Sequence, residues 1–116
     1  MASELGARKV AYLHVVEPRA DQRRDDGKLD PTSPDAAATF RSAFGGPVVA
    51  AGGFTGESAE AEVASGTADA VAFGRWFISN PDLPERLRRR APLNPYQRAT
   101  FYGGGAAGYT DYPRLP

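Results

Sequence analysis

Two short motifs and an aromatic tail carry most of the chemistry this sequence offers. Val71-Ala72-Phe73 is an apolar run that stops at Gly74-Arg75, and Pro47 to Ala51 is another that stops at Gly52-Gly53. A glycine at the end of a strand lets a ligand approach the backbone and leaves an N–H to donate. An arginine beside it supplies a permanent cation whose fork of donors matches phosphate. Gly74-Arg75 therefore reads as half of an anion site, although the spacing serves equally for a strand-ending glycine beside an arginine in a surface salt bridge. A Gly-Gly pair taken alone is explained as well by a turn. The tail from Leu93 to Pro113 interleaves Tyr96, Phe101, Tyr102, Tyr109 and Tyr112 with glycines at 103 to 105 and 108, without helical or strand period. A flexible linker seldom holds so many aromatic residues, so ordering against a planar partner competes with a simple terminal extension. His14 is the single histidine and there is no cysteine. It is expected to be a hydrogen-bonded structural residue inside a strand rather than a metal ligand or a base.

These groups need elements to position them, and the pattern supplies an alternating order. Met1 to Arg8 is polar and aperiodic, a lead-in over residues 1–9. Val10 to Val16, rich in β-branched and aromatic residues, is the first strand. A charged, solvated loop follows from Ala20 to Thr32. Ser33-Pro34-Asp35 starts a helix with a capping serine, a proline at the first helical position and an early acid. That helix carries Phe40 and Phe44 on one face and stops at Gly45-Gly46. Pro47 to Ala51 is the second strand, and a second helix runs from Thr55, with Glu57 and Glu60 early, to Gly66. Asp69 to Phe73 is the third strand, apolar enough to be buried on both faces. Asn80-Pro81-Asp82 caps a third helix, which closes with Arg86, Arg88, Arg89 and Arg90 at its negative end. The β/α units thus occupy 10–91 and the loop-rich tail 92–116.

Strands alternating with helices imply right-handed parallel crossovers and an α/β fold. A closed three-stranded parallel sheet would leave two unpaired edges and bury little area, so a portion of a (β/α)₈ TIM barrel fits better than a small open sheet. In such barrels ligands bind at the carboxyl ends of the strands, and the loops after the last two strands commonly hold a phosphate. Gly52-Gly53 and Gly74-Arg75 lie at consecutive strand ends, where backbone N–H groups and a helix start can hold a dianion. Together they are more specific than either alone.

Composition excludes several classes. The 116 residues make at most one domain, and 41% hydrophobic content is that of a globular chain. Formal net charge is zero, so nothing global draws the chain to nucleic acid or to an anionic membrane. Without cysteine there is neither a disulfide framework nor a thiolate metal site. No apolar run is long enough to span a bilayer and no signal-peptide pattern is present, which makes a cytoplasmic setting the expectation.

Four blocks carry a family resemblance: YLHVVEPR from Tyr12 to Arg19, AGGF from Ala51 to Phe54, DAVAFGRWFISNPDLPERL from Asp69 to Leu87, and LNPYQRATFYGGGAAGYTDYP from Leu93 to Pro113. In content and order they resemble the carboxyl-terminal third of the old yellow enzyme family of flavin-dependent ene-reductases. The resemblance covers nearly everything after residue 10. It implies that the strands are the sixth to eighth of the barrel. It implies that Gly53, Gly74 and Arg75 contact the phosphate of FMN, that Phe101 lies beside the flavin ring system, and that Tyr102 lines the substrate pocket. Such enzymes move a hydride from NADPH or NADH through FMN to an activated alkene such as an enone. His14 matches no catalytic position of the family.

The family's carbonyl-binding histidine pair (or histidine and asparagine) and its proton-donating tyrosine belong to earlier strands and match nothing among these residues. The chain by itself is therefore not expected to be a competent ene-reductase, and a complementing chain carrying the rest of the barrel is an expected partner. Two other readings stay open on the residues alone: a non-catalytic fragment that self-associates through its sheet edges, and half of an unrelated phosphate-binding barrel, which leaves the aromatic tail unexplained.

Overall fold

Three short parallel strands underlie the first of two compact units, Met1–Ala72; the second is Phe73–Pro116. The computed structural model describes residues 1–18 and 34–116. The charged loop read at Ala20 to Thr32 and the Ser33 cap lie outside the described residues. Strands β1 (Leu13–Val16), β2 (Val48–Ala51) and β3 (Ala70–Ala72) pair in the order β1-β2-β3. Leu13 to Val16 pair with Val48 to Ala51, and Val49 to Ala51 with Ala70 to Ala72. Central β2 is the best covered, with Val48 and Ala50 fully buried. The expected burial of the third strand on both faces is corrected: Ala70 is exposed and Val71 and Ala72 are only half-buried. Among the described residues β3 has a strand on one side only, at the edge of the sheet, so an apolar run does not guarantee cover.

The helices of this unit are α1 (Ala2–Ala7), α2 (Ala36–Phe44) and α3 (Gly56–Ala64). Asp35 caps α2, its side chain accepting from the Ala38 N–H at 2.8 Å, and Gly45 ends it at φ 70°, where glycine avoids the Cβ penalty. Of the expected Phe40–Phe44 pair only Phe44 is buried. Phe40 remains 39% exposed, because strands of three or four residues offer α2 little surface. Thr55 and Ser58 form a reciprocal capping box at the start of α3, with N–H to hydroxyl distances of 3.1 and 2.9 Å. The expected lead-in is corrected as well. Its first residues form α1, which lies so close to the end of α2 that a Cβ on Gly6 would come 2.1 Å from the Phe44 carbonyl oxygen. A helix of six residues has little stability of its own; packing makes it, and periodicity could not announce it.

Two carboxylates tie the sheet to α2. Glu17, at the end of β1 and 1% exposed, accepts from the Ala36 and Ala37 N–H groups at 3.1 and 3.0 Å, at the positive end of the helix. Asp69, just before β3, takes a two-pronged contact from Arg41 at 2.6 and 3.1 Å and a third hydrogen bond from the Val48 N–H at 2.8 Å. Arg41 first, then that N–H, hold the Asp69 carboxyl down at about 2, against an ordinary value of 3.8.

In the second unit α4 (Arg75–Ser79) and α5 (Leu83–Arg89) precede a single 3₁₀ turn at Arg98–Thr100. Arg75 is already the first residue of α4, a short helix that comes before the one expected from Asn80. Asn80-Pro81-Asp82 does not cap the following helix by side chain: Asp82 occupies the cap position without a capping hydrogen bond, and Pro84 is the proline of the first turn. The carboxylate of Asp82 is drawn instead to Arg86 at 2.7 Å and to the Leu115 N–H at 2.7 Å. Of the arginine run, Arg88 and Arg89 pair with Glu85, while Arg86 is buried.

Because the folded carboxyl of Asp69 sits below its unfolded value, its contribution is complete above about pH 4 and disappears as pH falls toward about 2. The thermal midpoint of the wild-type chain, followed by far-ultraviolet circular dichroism, is expected to drop through that window. Asp69→Asn should lower the midpoint at neutral pH and flatten the drop, and an equally steep acid dependence in both proteins would refute the assignment.

Candidate functional site

Each glycine motif follows its strand without an intervening residue or with one. Gly52 and Gly53 come directly after β2 and adopt φ of 100° and 71°, a region that L side chains enter only with strain. Phe54, 3% exposed, buries the end of this turn. After β3 come Phe73 and then Gly74, which is exposed. A Cβ built on Gly74 meets nothing within 4 Å, so the backbone there is open to an approaching group. The Gly74 carbonyl accepts the Phe77 and Ile78 N–H groups at 2.9 and 3.2 Å and opens α4. Since Ala51 pairs with Ala72, both loops leave the carboxyl edge of the sheet from adjacent positions.

The half-buried Arg75 turns its guanidinium to the tail. Its Nη1 donates to the Tyr96 hydroxyl at 3.2 Å, and its Cζ lies 5.8 Å from the centroid of that ring. Tyr96 stands edge-on to Trp76, centroids 4.9 Å apart, and 5.6 Å from Phe101, which in turn meets Tyr102 at 6.4 Å. Phe101 is half-buried and Tyr102 is 92% exposed. Of the aromatic residues singled out in the tail, Tyr96, Phe101 and Tyr102 are therefore packed in series within this unit, whereas Tyr109 is exposed, and Tyr102 presents its ring outward.

What holds the tail in this form is a set of buried polar groups. Asn80, fully buried, accepts the Asn94 N–H at 2.7 Å and donates to the carbonyls of Trp76 and Asn94. Asn94 donates to the carbonyls of Ser79 and Pro113 at 2.9 and 2.8 Å. The Arg86 guanidinium spans the carbonyls of Pro92 and Pro113 at 2.6 and 2.8 Å while its Nε holds Asp82. Residues 92 and 113, the two ends of the aromatic segment, are thus joined through one side chain. Inside the segment Gly108 is buried with φ 69°. Its N–H donates to Asp111 at 2.8 Å, and a Cβ there would fall 2.2 Å from the Thr100 hydroxyl oxygen.

Sequence reasoning missed Asn80, Asn94 and Arg86 as tail anchors. It also passed over Tyr96 as the partner of Arg75. Apart from the bond from Arg86 to the Pro92 carbonyl, their bonds to the tail connect positions 14 to 27 residues apart, and no local pattern marks them. His14 is exposed on β1. Glu17, Asp35 and Glu62 bring carboxylate oxygens within 4.8 Å of one another. Two of the three are engaged in starting α2, which accounts for their proximity.

A parallel sheet whose strands alternate with helices defines an α/β protein. The class narrows on comparison: residues 1–94 match the NADH:flavin oxidoreductase / NADH oxidase family, and the chain belongs to that family. It is 44% identical over 116 residues to 12-oxophytodienoate reductase 2 of Arabidopsis thaliana, covering 99% of this chain and 30% of that protein. It is 46% identical over 119 residues to a protein described as putative 12-oxophytodienoate reductase 12 of Oryza sativa subsp. japonica, covering 99% and 29%. Morphinone reductase, solved in complex with tetrahydroNAD, superposes with a TM-score of 0.82 at 45% identity, over 99% of this chain and 29% of that one. The old yellow enzyme homologue of Zymomonas mobilis gives 0.83 at 38% identity, over 98% and 31%. The parallel α/β arrangement is that of these barrel proteins. The chain spans about 30% of the length of the curated relatives it matches. Membership of the family sets aside an unrelated phosphate-binding barrel.

Gly108→Ala should place a methyl group where the Thr100 hydroxyl stands, in a strained backbone region. The expected cost is about 1 to 3 kcal/mol, with faster tryptic cleavage at Arg98 inside the segment. Unchanged unfolding and cleavage would show that the tail does not depend on this close approach.

Proposed function

We propose that the chain forms the phosphate-binding side and part of the aromatic wall of the FMN site in an NAD(P)H-dependent ene-reductase. In this reading β1 to β3 are the sixth to eighth strands of the barrel. The observation that carries it is the pairing of Ala51 with Ala72, from which Gly52-Gly53 and Gly74-Arg75 depart along one sheet edge. The N–H groups of Gly53 and Gly74 and the guanidinium of Arg75 bind the phosphate, Phe101 lies beside the ring system, and Tyr102 lines the pocket for the alkene. Bound FMN supplies the hydride chemistry, from NADPH or NADH to an activated alkene. The protein's own part is to fix the phosphate by charge-assisted hydrogen bonds and to exclude water with its aromatic side chains.

Carbonyl binding and proton donation fall, on this reading, to the other barrel strands, so the 116 residues alone are inactive and a polypeptide carrying those strands completes the site. The sheet supports this need. Among the described residues β1 and β3 each pair on one side only, and Val16 on β1 and Tyr12 just before it are 60% and 55% exposed. The same margin favours a second reading, self-association of the chain, which a monodisperse monomer in sedimentation analysis would count against.

Fluorescence titration with FMN, and with riboflavin as the control lacking phosphate, tests the assignment on the chain alone and mixed with the remaining barrel strands. Arg75→Ala is expected to weaken FMN by about 1.5 to 3 kcal/mol, roughly 10- to 150-fold, and to leave riboflavin unaffected. Unchanged FMN affinity would overturn the phosphate role of Arg75.

A further inference from the structure

Of the arginines near the end of α5, Arg86 is the buried one, 5% exposed, and its guanidinium is a junction. Nε donates to the Asp82 carboxylate at 2.7 Å, Nη1 to the Pro92 carbonyl at 2.6 Å and Nη2 to the Pro113 carbonyl at 2.8 Å. The second oxygen of Asp82 accepts the Leu115 N–H at 2.7 Å, and the Pro113 carbonyl also takes the Asn94 side-chain amide at 2.8 Å. One side chain thus closes the base of the aromatic segment, and Asn94 carries the restraint inward. Two residues beyond Asn94 stands Tyr96, its ring centroid 5.6 Å from that of Phe101. A guanidinium is planar and rigid, so the carbonyls it bridges keep a set separation, which a flexible ammonium cannot impose.

We propose that Arg86 is a positioning residue for recognition of the flavin ring: by closing residues 92–113 at their base it sets the place at which Phe101 stands. This deepens the proposed FMN reading, rests on it, and divides the labour within that site. Arg75 serves the phosphate, so its loss separates FMN from riboflavin. Arg86 serves the ring that both flavins share, so its loss weakens both alike. A ring contact is effective only when the groups behind it hold it in place, and a segment with loose ends must lose the freedom of those ends when the ligand binds. The junction removes that freedom beforehand. Burial of the cation is tolerable because a carboxylate and two carbonyls meet it.

Arg86→Lys keeps a cation beside Asp82 and removes only the planar fork. In fluorescence titration of the chain mixed with the remaining barrel strands, it is expected to weaken FMN and riboflavin equally, by about three- to tenfold, and to add nothing when combined with Phe101→Ala. Arg86→Gln, whose amide is too short for both carbonyls, should give the same paired loss, so either folded variant decides the matter. A readout free of flavin is the set of NOEs between the Tyr96 and Phe101 ring protons in the ligand-free chain, expected to weaken in both variants. A merely structural Arg86 would lower the melting midpoint and leave the NOEs and both affinities of the folded chain unchanged. Phe101→Ala without effect on either flavin would sink the ring assignment itself. If Phe101→Ala weakens both flavins and the Arg86 variants weaken neither, or weaken FMN alone, the positioning role falls by itself. Unchanged ring NOEs would also overturn it, whether or not the chain takes up flavin.

Discussion

Parallel pairing on both sides of β2 is the constraint from which the arrangement of the first unit follows. Parallel strands cannot be joined by a tight turn, so a helix must return the chain to the starting edge each time. α3 does so between β2 and β3, and α2 leads directly into β2. All three strands then point the same way, and whatever follows them leaves from one edge. Two carboxylates reinforce this geometry. Glu17 fastens the end of β1 to the first turn of α2, and Asp69 fastens the start of β3 to both Arg41 and the Val48 N–H. Glu17 is buried, so its charge is tolerable only because helix N–H groups meet it.

The second unit is held by different means. Few large apolar side chains are buried there, Leu83 being the chief one, and polar groups do much of the remaining work. Asn80, Asn94 and Arg86 each bind carbonyl groups from separate stretches of the tail, where no regular ladder could satisfy them. Such bonds add little net energy each, but breaking one leaves a buried group unsatisfied, so the tail adopts one path rather than several.

Much of the regular framework was legible. Gly45 as a helix stop, the helix start at Thr55, the short strand before Gly52-Gly53 and the alternating order all follow from local chemistry, because caps and left-handed glycines act within a few residues. The block resemblance extended that reach to the family, which the match over residues 1–94 bears out. Other features were not legible. α1 exists through its approach to α2, most of the tail anchors act across 14 to 27 residues, and Asn80, which looks like a cap, binds Asn94 instead. Of the arginines read together as a charged helix end, Arg86 points inward and the others stay out, a distinction that no run of like residues can express.

By itself, then, the sequence determined the alternation of strands and helices, the glycines at the strand ends and the aromatic content of the tail, since each depends on residue type and near neighbours. Tertiary structure alone decided that the third strand lies at an edge and is only partly covered, that Ala51 stands opposite Ala72, and that Arg75 rests against Tyr96. Those outcomes depend on contacts between residues far apart in the chain, whose energies appear only once the backbone has brought them together.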